Sequence, residues 1–345
     1  MRSAFFASLL LLTSCQHLSS CQPPLSEPDP GVLPAEELEV EIPASSLTLE
    51  GRLSLPLRGG GETVPAVVLV HGSGPQSRDS VLPGQLNMDF GGIQISAFSD
   101  ISAALSEEGV AVLRYDKRSC TSAGGYCDNE YPIPGSDIRV SDFATDALSA
   151  VTWLLEHKAV DPQRVFVVGH SQGAALMPAI LDAGPAVAGG ASLAGNYRPI
   201  DSLLRFQLES SAEAMLAAGY PQSAVDSQLA DLRAMVEALE ALRAGDFAGT
   251  TIGGAPVAFW EDWLAIGDAR PGLLALEQRP LLAINGDYDW NIPHDPELNL
   301  WADAGAETVL LPCVTHALNC VEGADIGEEV DSALLEALSD WILSH

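Results

Sequence analysis

The sequence predicts an α/β protein with a mostly parallel central sheet, helices on both faces and a helical insertion before the last strands. Three observations carry this. Short apolar runs at Ala66–Val70, Val110–Tyr115, Val165–Val168, Val187–Leu193 and Leu281–Ile284 alternate with helix-forming stretches, and repeated βα units of this kind build parallel sheets. Candidate reactive residues follow the C-terminal ends of those runs, where open parallel sheets bind their ligands. Between 196 and 278 the pattern changes to apolar residues at helical spacing, with Leu203, Leu204, Leu208, Val225, Leu229, Leu232, Met235, Val236, Leu239 and Leu242 forming the stripe.

From the N-terminus, Met1-Arg2 precedes an apolar run from Ala4 to Leu12 that is too short to span a bilayer, so 1–21 is expected to be a secretory signal. It contains Leu12-Thr13-Ser14-Cys15 and Leu18-Ser19-Ser20-Cys21, both similar to a bacterial lipobox, so either Cys15 or Cys21 is a candidate for lipidation. Residues 22–37, rich in Pro, Glu and Ser, read as a flexible tether from a lipid anchor. Leu38 to Leu57 alternates apolar and polar residues, as an antiparallel hairpin at the sheet edge would. The α/β core is expected over 38–195 and 279–345, interrupted by a helical lid over 196–278.

Ala66–Val70 opens into His71-Gly72-Ser73-Gly74-Pro75, a loop of small residues whose backbone can approach a reacting group. After the strand at Val110–Tyr115 and a helix from about Ser141 to Glu156, Val165–Val168 runs into Gly169-His170-Ser171-Gln172-Gly173 and on into Ala174-Ala175-Leu176-Met177. A serine on a sharp strand-to-helix turn needs glycine on either side, and such a turn presents its hydroxyl at the top of the sheet. The five-residue pattern alone is common, so its partners carry the case.

A serine needs a base, and the base needs an acid to hold its tautomer. Among the histidines, His17 lies in the signal segment, His345 is the last residue and His157 closes a helix. His71 and His170 sit inside the two motifs already described, and His294 begins a helix after Pro293. His316 remains, in a loop after the strand Glu307–Leu311. Leu281–Gly286 is followed by Asp287-Tyr288-Asp289-Trp290; Asp289, farther from the strand end, is the expected acid, with Asp287 the alternative. Backbone N–H groups of Ser73 and Gln172 are the expected oxyanion donors.

The chain order Ser171, Asp289, His316 is that of the α/β-hydrolase arrangement. With His71 to Pro75 followed by Arg78-Asp79, a strand ending in Arg114-Tyr115-Asp116-Lys117-Arg118, and Gly286 to Asp289 as the acid loop, the chain resembles α/β-hydrolases of the bacterial esterase and serine-aminopeptidase kind over about 35–345. The resemblance implies an α/β-hydrolase fold, a serine hydrolase acting on small carboxylic esters, and loop-fixing ion-pair roles for Asp79 and the Asp116/Arg118 pair. A peptidase or thioesterase with the same triad is the alternative, and Glu209, Glu261 or Asp262 could grip a substrate amine. An alternative of another class is a non-catalytic surface binding module that keeps the fold for display.

Phe259, Trp260 and Trp263 form the aromatic cluster of the insertion and are expected to wall an acyl pocket. Cys120 with Cys127 and Cys313 with Cys320 are two close pairs in a chain expected to be exported, so both are expected to bridge. Neither spacing suits zinc, and no cofactor loop is found: Gly59-Gly60-Gly61 precedes a strand and does not open a helix. With 345 residues, 47% of them hydrophobic, the chain can bury one large core, and a net charge of −31 argues against nucleic acid or an anionic membrane as target.

Overall fold

The computed structural model describes residues 36–57, 62–83, 94–120, 127, 131 and 138–345. The signal segment, the lipobox candidates Cys15 and Cys21, nearly all of the tether and Gly59-Gly60-Gly61 lie outside the described residues. Eight strands form the central sheet: β1 (Glu36–Pro43), β2 (Thr48–Leu55), β3 (Val64–Val70), β4 (Ala111–Tyr115), β5 (Val160–His170), β6 (Gly189–Leu193), β7 (Leu281–Gly286) and β8 (Glu307–Leu311). Their spatial order is β1-β2-β4-β3-β5-β6-β7-β8. β2 runs antiparallel to β1 and β4, and the rest of the sheet is parallel. β1 starts two residues inside the stretch expected as tether, because Glu36 already pairs with Leu55.

All seven residues of β3 are buried. Alternation within β3 explains this, since Ala66, Val68 and Val70 join one core cluster while Val67 and Leu69 join the other. β5 divides likewise, with Val165 and Val167 on one face and Phe166 and Val168 on the other. The first face is covered by α2 (Val140–Leu155) and α3 (Gln172–Ala183), through Phe143, Leu176 and Ile180. The second is covered by α1 (Ala97–Glu107) and α9 (Ser332–Ser344), through Phe98, Ile101, Leu338 and Trp341. A strand expected from Val187 begins instead at Gly189, since Val187 closes a turn onto the Gly184 carbonyl oxygen.

Between β6 and β7 the chain forms α4 (Ile200–Ala217), α5 (Gln222–Gln228), α6 (Ala230–Ala244), a two-residue pairing of Thr251–Ile252 with Ala255–Pro256, and α7 (Val257–Leu274). The last connection carries α8 (His294–Asp303). No helix among the described residues is long and apolar enough to cross a membrane.

Ion pairs fasten the sheet's loops, in a pairing the sequence did not indicate. Asp116 and Arg118 are not paired with each other. Asp116 accepts from the backbone N–H of Arg78 at 2.7 Å and pairs with its guanidinium at 2.8 Å. Arg114 pairs with Asp79 and Glu37, and Arg118 with the buried Asp146 at 2.6 Å. The Arg78 and Arg114 pairs bind the loop after β3 to β1 and β4.

Candidate active site

β5 runs straight into the Gly169–Gly173 turn, and α3 starts at Gln172. Ser171 has φ 52° and ψ −113°, a conformation that costs a side-chain-bearing residue roughly 1–3 kcal/mol. The surroundings enforce it: Ser171 N–H donates to the Leu193 carbonyl at 2.9 Å, and a Cβ on Gly173 would lie 2.1 Å from the Val70 carbonyl oxygen. A Cβ on Gly169 would lie 2.4 Å from the Ala174 nitrogen. The glycines are therefore what lets strand and helix meet at this angle. Ser171 sits at the top of the sheet, as such a turn implies, yet it is only 9% exposed. Gly72 lies against its Cβ and the His316 imidazole against its hydroxyl, and neither neighbour is close in sequence.

His316 presents Nε2 to Ser171 Oγ at 3.1 Å and Nδ1 to Asp289 Oδ2 at 2.9 Å. With a carboxylate facing Nδ1, that nitrogen carries the proton and Nε2 is free to accept from the serine. The Asp289 carboxylate is fully buried, and its second oxygen accepts the backbone N–H groups of Asn291 and Ile292, both at 2.8 Å. Asp287 does something else. Its Oδ1 accepts the Cys313 N–H at 2.7 Å, fastening the acid loop to the loop that carries His316.

The histidine loop is held from three sides. Cys313 and Cys320 are bridged across it, with Cα atoms 4.8 Å apart, as are Cys120 and Cys127 elsewhere. Thr315 N–H donates to the Asn319 carbonyl at 2.9 Å. His170, buried beneath the loop, donates Nε2–H to the His316 carbonyl at 2.9 Å. Burial, and then the nearby His316, lower its pKa to about 3, so it stays neutral and serves as a fixed donor. A C313S/C320S variant is expected to lose roughly 2–3 kcal/mol of stability, because a short ring restricts the unfolded chain only modestly. Its turnover should fall too as His316 loosens; urea denaturation and steady-state kinetics on the same preparation check both.

The loop after β3 lies on the other side of Ser171. His71 is buried against Phe98 and Tyr115, and its Nε2–H donates to the Ser77 carbonyl at 3.1 Å. Burial, with the Lys117 charge second, lowers its pKa to about 3. Gln76 donates to the Ser73 carbonyl at 3.2 Å. Gln172 occupies the first turn of α3, where backbone N–H groups point outward and the helix dipole favours negative charge.

In the insertion, Trp260 and Trp263 stack with ring centres 5.5 Å apart, and Phe259 meets both edge-on. Both tryptophans are buried in the core, with Trp260 Nε1–H donating to the Ile252 carbonyl at 2.9 Å, while Phe259 is half-buried. Asp262 accepts the Ser141 N–H at 2.6 Å, and Glu209 and Glu261 are exposed. From α4, Gln207 donates to the Asn291 carbonyl at 2.6 Å, joining the insertion to the acid loop. The structure thus brings Ser171, Asp289 and His316 into one hydrogen-bonded line, with the loop of Ser73 and the first turn of α3 beside it. Asp287, His170 and Lys117 stand behind that line, in positions the motifs alone did not assign.

A serine at a strained strand-to-helix turn, approached by a carboxylate-oriented histidine from the loop after the last strand, defines a class of protein. Residues 67–322 match the Alpha/beta hydrolase family, and the chain belongs to it. It is 29% identical over 308 residues to esterase EstD of Thermotoga maritima, covering 86% of this chain and spanning 65% of that relative's length. Among solved structures it superposes on Est1E from Butyrivibrio proteoclasticus with a TM-score of 0.55 at 15% identity, covering 89% of this chain and 98% of that one. It superposes on the acylaminoacyl peptidase of Pyrococcus horikoshii with a TM-score of 0.53 at 14% identity, covering 83% of this chain and 38% of that one. At these identities the two structures speak for the fold alone.

Proposed function

We propose that this protein is a serine hydrolase that cleaves small carboxylic esters through an acyl-enzyme on Ser171. The observation that carries the reading is the line Ser171 Oγ, His316, Asp289, closed at 3.1 and 2.9 Å. His316 Nε2 takes the serine proton as Oγ attacks the ester carbonyl, and returns it to the departing alcohol. Asp289 holds the tautomer and stabilises the imidazolium formed in between. The N–H groups of Ser73 and Gln172 receive the developing oxyanion, and a water repeats the sequence to release the acid. The esterase description of the Thermotoga maritima relative supports an ester as substrate. A peptidase needing a carboxylate to grip the substrate amine finds Asp262 already engaged by the Ser141 N–H.

The helical insertion acts in this reading as a lid joined to the acid loop through Gln207, and half-buried Phe259, backed by the two buried tryptophans, walls the acyl side. The protein works after export, as a lipoprotein anchored through Cys15 or Cys21; the mass of the mature N-terminal peptide from membrane fractions would contradict this if neither cysteine were its acylated first residue.

The substrate class is tested with p-nitrophenyl esters of increasing acyl length against aminoacyl p-nitroanilides. Ester turnover should exceed anilide turnover by a wide margin and vanish in Ser171→Ala. Preference for the anilides would establish the peptidase alternative, and absence of Ser171-dependent turnover on either would favour a binding module. A Phe259→Ala variant should shift the acyl-length optimum, and an unchanged optimum would remove Phe259 from the pocket wall.

A further inference from the structure

Lys117 directly follows Asp116 just past the end of β4 and is 3% exposed. Its ammonium has three N–H bonds, and three partners surround it. It donates to the Gly72 carbonyl oxygen, donates to Gln172 Oε1 at 2.9 Å, and sits 4.2 Å from the centre of the Phe143 ring. The space around it, lined by Val70, His71, Tyr115, Phe143 and Asp146, is too tight to admit a water molecule.

The two acceptors are informative. The Gly72 carbonyl belongs to the same peptide unit as the Ser73 N–H, and in a planar trans peptide the two point in opposite directions. A cation on the oxygen end therefore fixes the plane of that peptide, and polarises it so that its N–H becomes a stronger donor. The same ammonium ties down the side chain of Gln172, whose N–H is the other donor of the proposed oxyanion site. The clamp comes from a third segment, the loop after β4, which carries neither donor.

Resting on the esterase reading above, we propose that Lys117 is a positioning residue for oxyanion stabilisation. From behind, its ammonium sets the Gly72–Ser73 peptide and the Gln172 segment at one fixed separation, and strengthens the Ser73 donor electrostatically. The interaction matters more in the transition state, where negative charge faces these N–H groups, than in the bound ester. It therefore acts on kcat and leaves KM nearly alone.

The groups that face Lys117 leave it to titrate by itself. His71 from the loop after β3 is neutral, Tyr115 on β4 is held protonated by burial, and Asp146 on α2 is engaged by Arg118. Gln172 on α3 carries no charge. Burial lowers the Lys117 pKa to about 7. The charged clamp is complete below that value and weakens as pH rises through it.

The test is kcat and KM for a p-nitrophenyl ester against pH, in the wild-type protein and in Lys117→Met. Removing a single oxyanion donor from a hydrolase costs roughly 100–1000-fold in kcat, and misaligning donors should cost less, so K117M is expected to lose about 10–100-fold with KM within about twofold. The wild type should also lose part of its kcat on the alkaline side, a limb missing from K117M. This pH comparison depends on the enzyme that is folded, not on its yield. A K117M enzyme with wild-type kcat, or one with the same alkaline limb, would overturn the clamp while leaving the esterase reading intact. A wild type with no Ser171-dependent turnover would overturn the reading and the clamp together.

Discussion

Replacing Asp289 with Asn is expected to lower kcat by on the order of 10⁴-fold while leaving the fold in place. One carboxylate oxygen accepts two backbone N–H groups, from Asn291 and Ile292, and the other accepts from His316 Nδ1. An asparagine keeps an oxygen for the two backbone donors, so the turn survives and stability should change by less than about 2 kcal/mol. Its NH₂ then faces His316 Nδ1, which must become the acceptor, and the imidazole proton moves to Nε2. That nitrogen now offers a proton to Ser171 where it has to take one. Single-turnover kinetics with urea denaturation of the same variant separate the two effects. Loss of activity in proportion to loss of stability would mean that Asp289 only braces the loop.

The second large effect concerns the turn itself. Gly173→Ala would set a methyl group 2.1 Å from the Val70 carbonyl oxygen, with the His71 carbonyl oxygen 2.8 Å away, and neither backbone atom can yield without moving β3. A clash of this kind belongs with the strongly destabilising substitutions, and a loss of more than about 4 kcal/mol is expected. Soluble yield and thermal midpoint measure it. A stable, active G173A protein would mean that α3 does not approach β3 as closely as described.

These two predictions mark what the sequence could and could not disclose. The elbow was legible because its chemistry is local: strand, glycine, serine, glycine and helix follow one another, and their geometry depends on adjacent residues. The alternation of buried strands was legible for the same reason. The edges of elements were less so, since β1 reaches back to Glu36 through pairing with Leu55, a contact made across the hairpin. Asp287 and Asp289 stand two residues apart, and nothing in their spacing separates a brace from a triad member. What separates them is the Cys313 N–H on one and the His316 ring on the other.

Burial was the least legible quantity. Ser171 is covered by Gly72 and His316, one of them about a hundred residues upstream and the other farther downstream. The ion pairs were hidden similarly: Asp116 and Arg118 suggest each other by proximity, yet both lie beyond the end of β4, where strand alternation no longer sets their directions, and each finds its partner on another segment. Lys117, between them, carries no signal of its own apart from its place in that charged run. Only the fold reveals that its ammonium reaches both segments flanking Ser171.

The central claim is that Ser171 is a nucleophile activated by His316, and covalent labelling tests it most directly. Native protein treated with a fluorophosphonate, digested and analysed by mass spectrometry should carry one adduct, on Ser171. The adduct should be absent from Ser171→Ala and slowed severely in His316→Ala. Ester turnover by a native protein that takes no adduct on Ser171, or equal labelling in the H316A variant, would contradict the account.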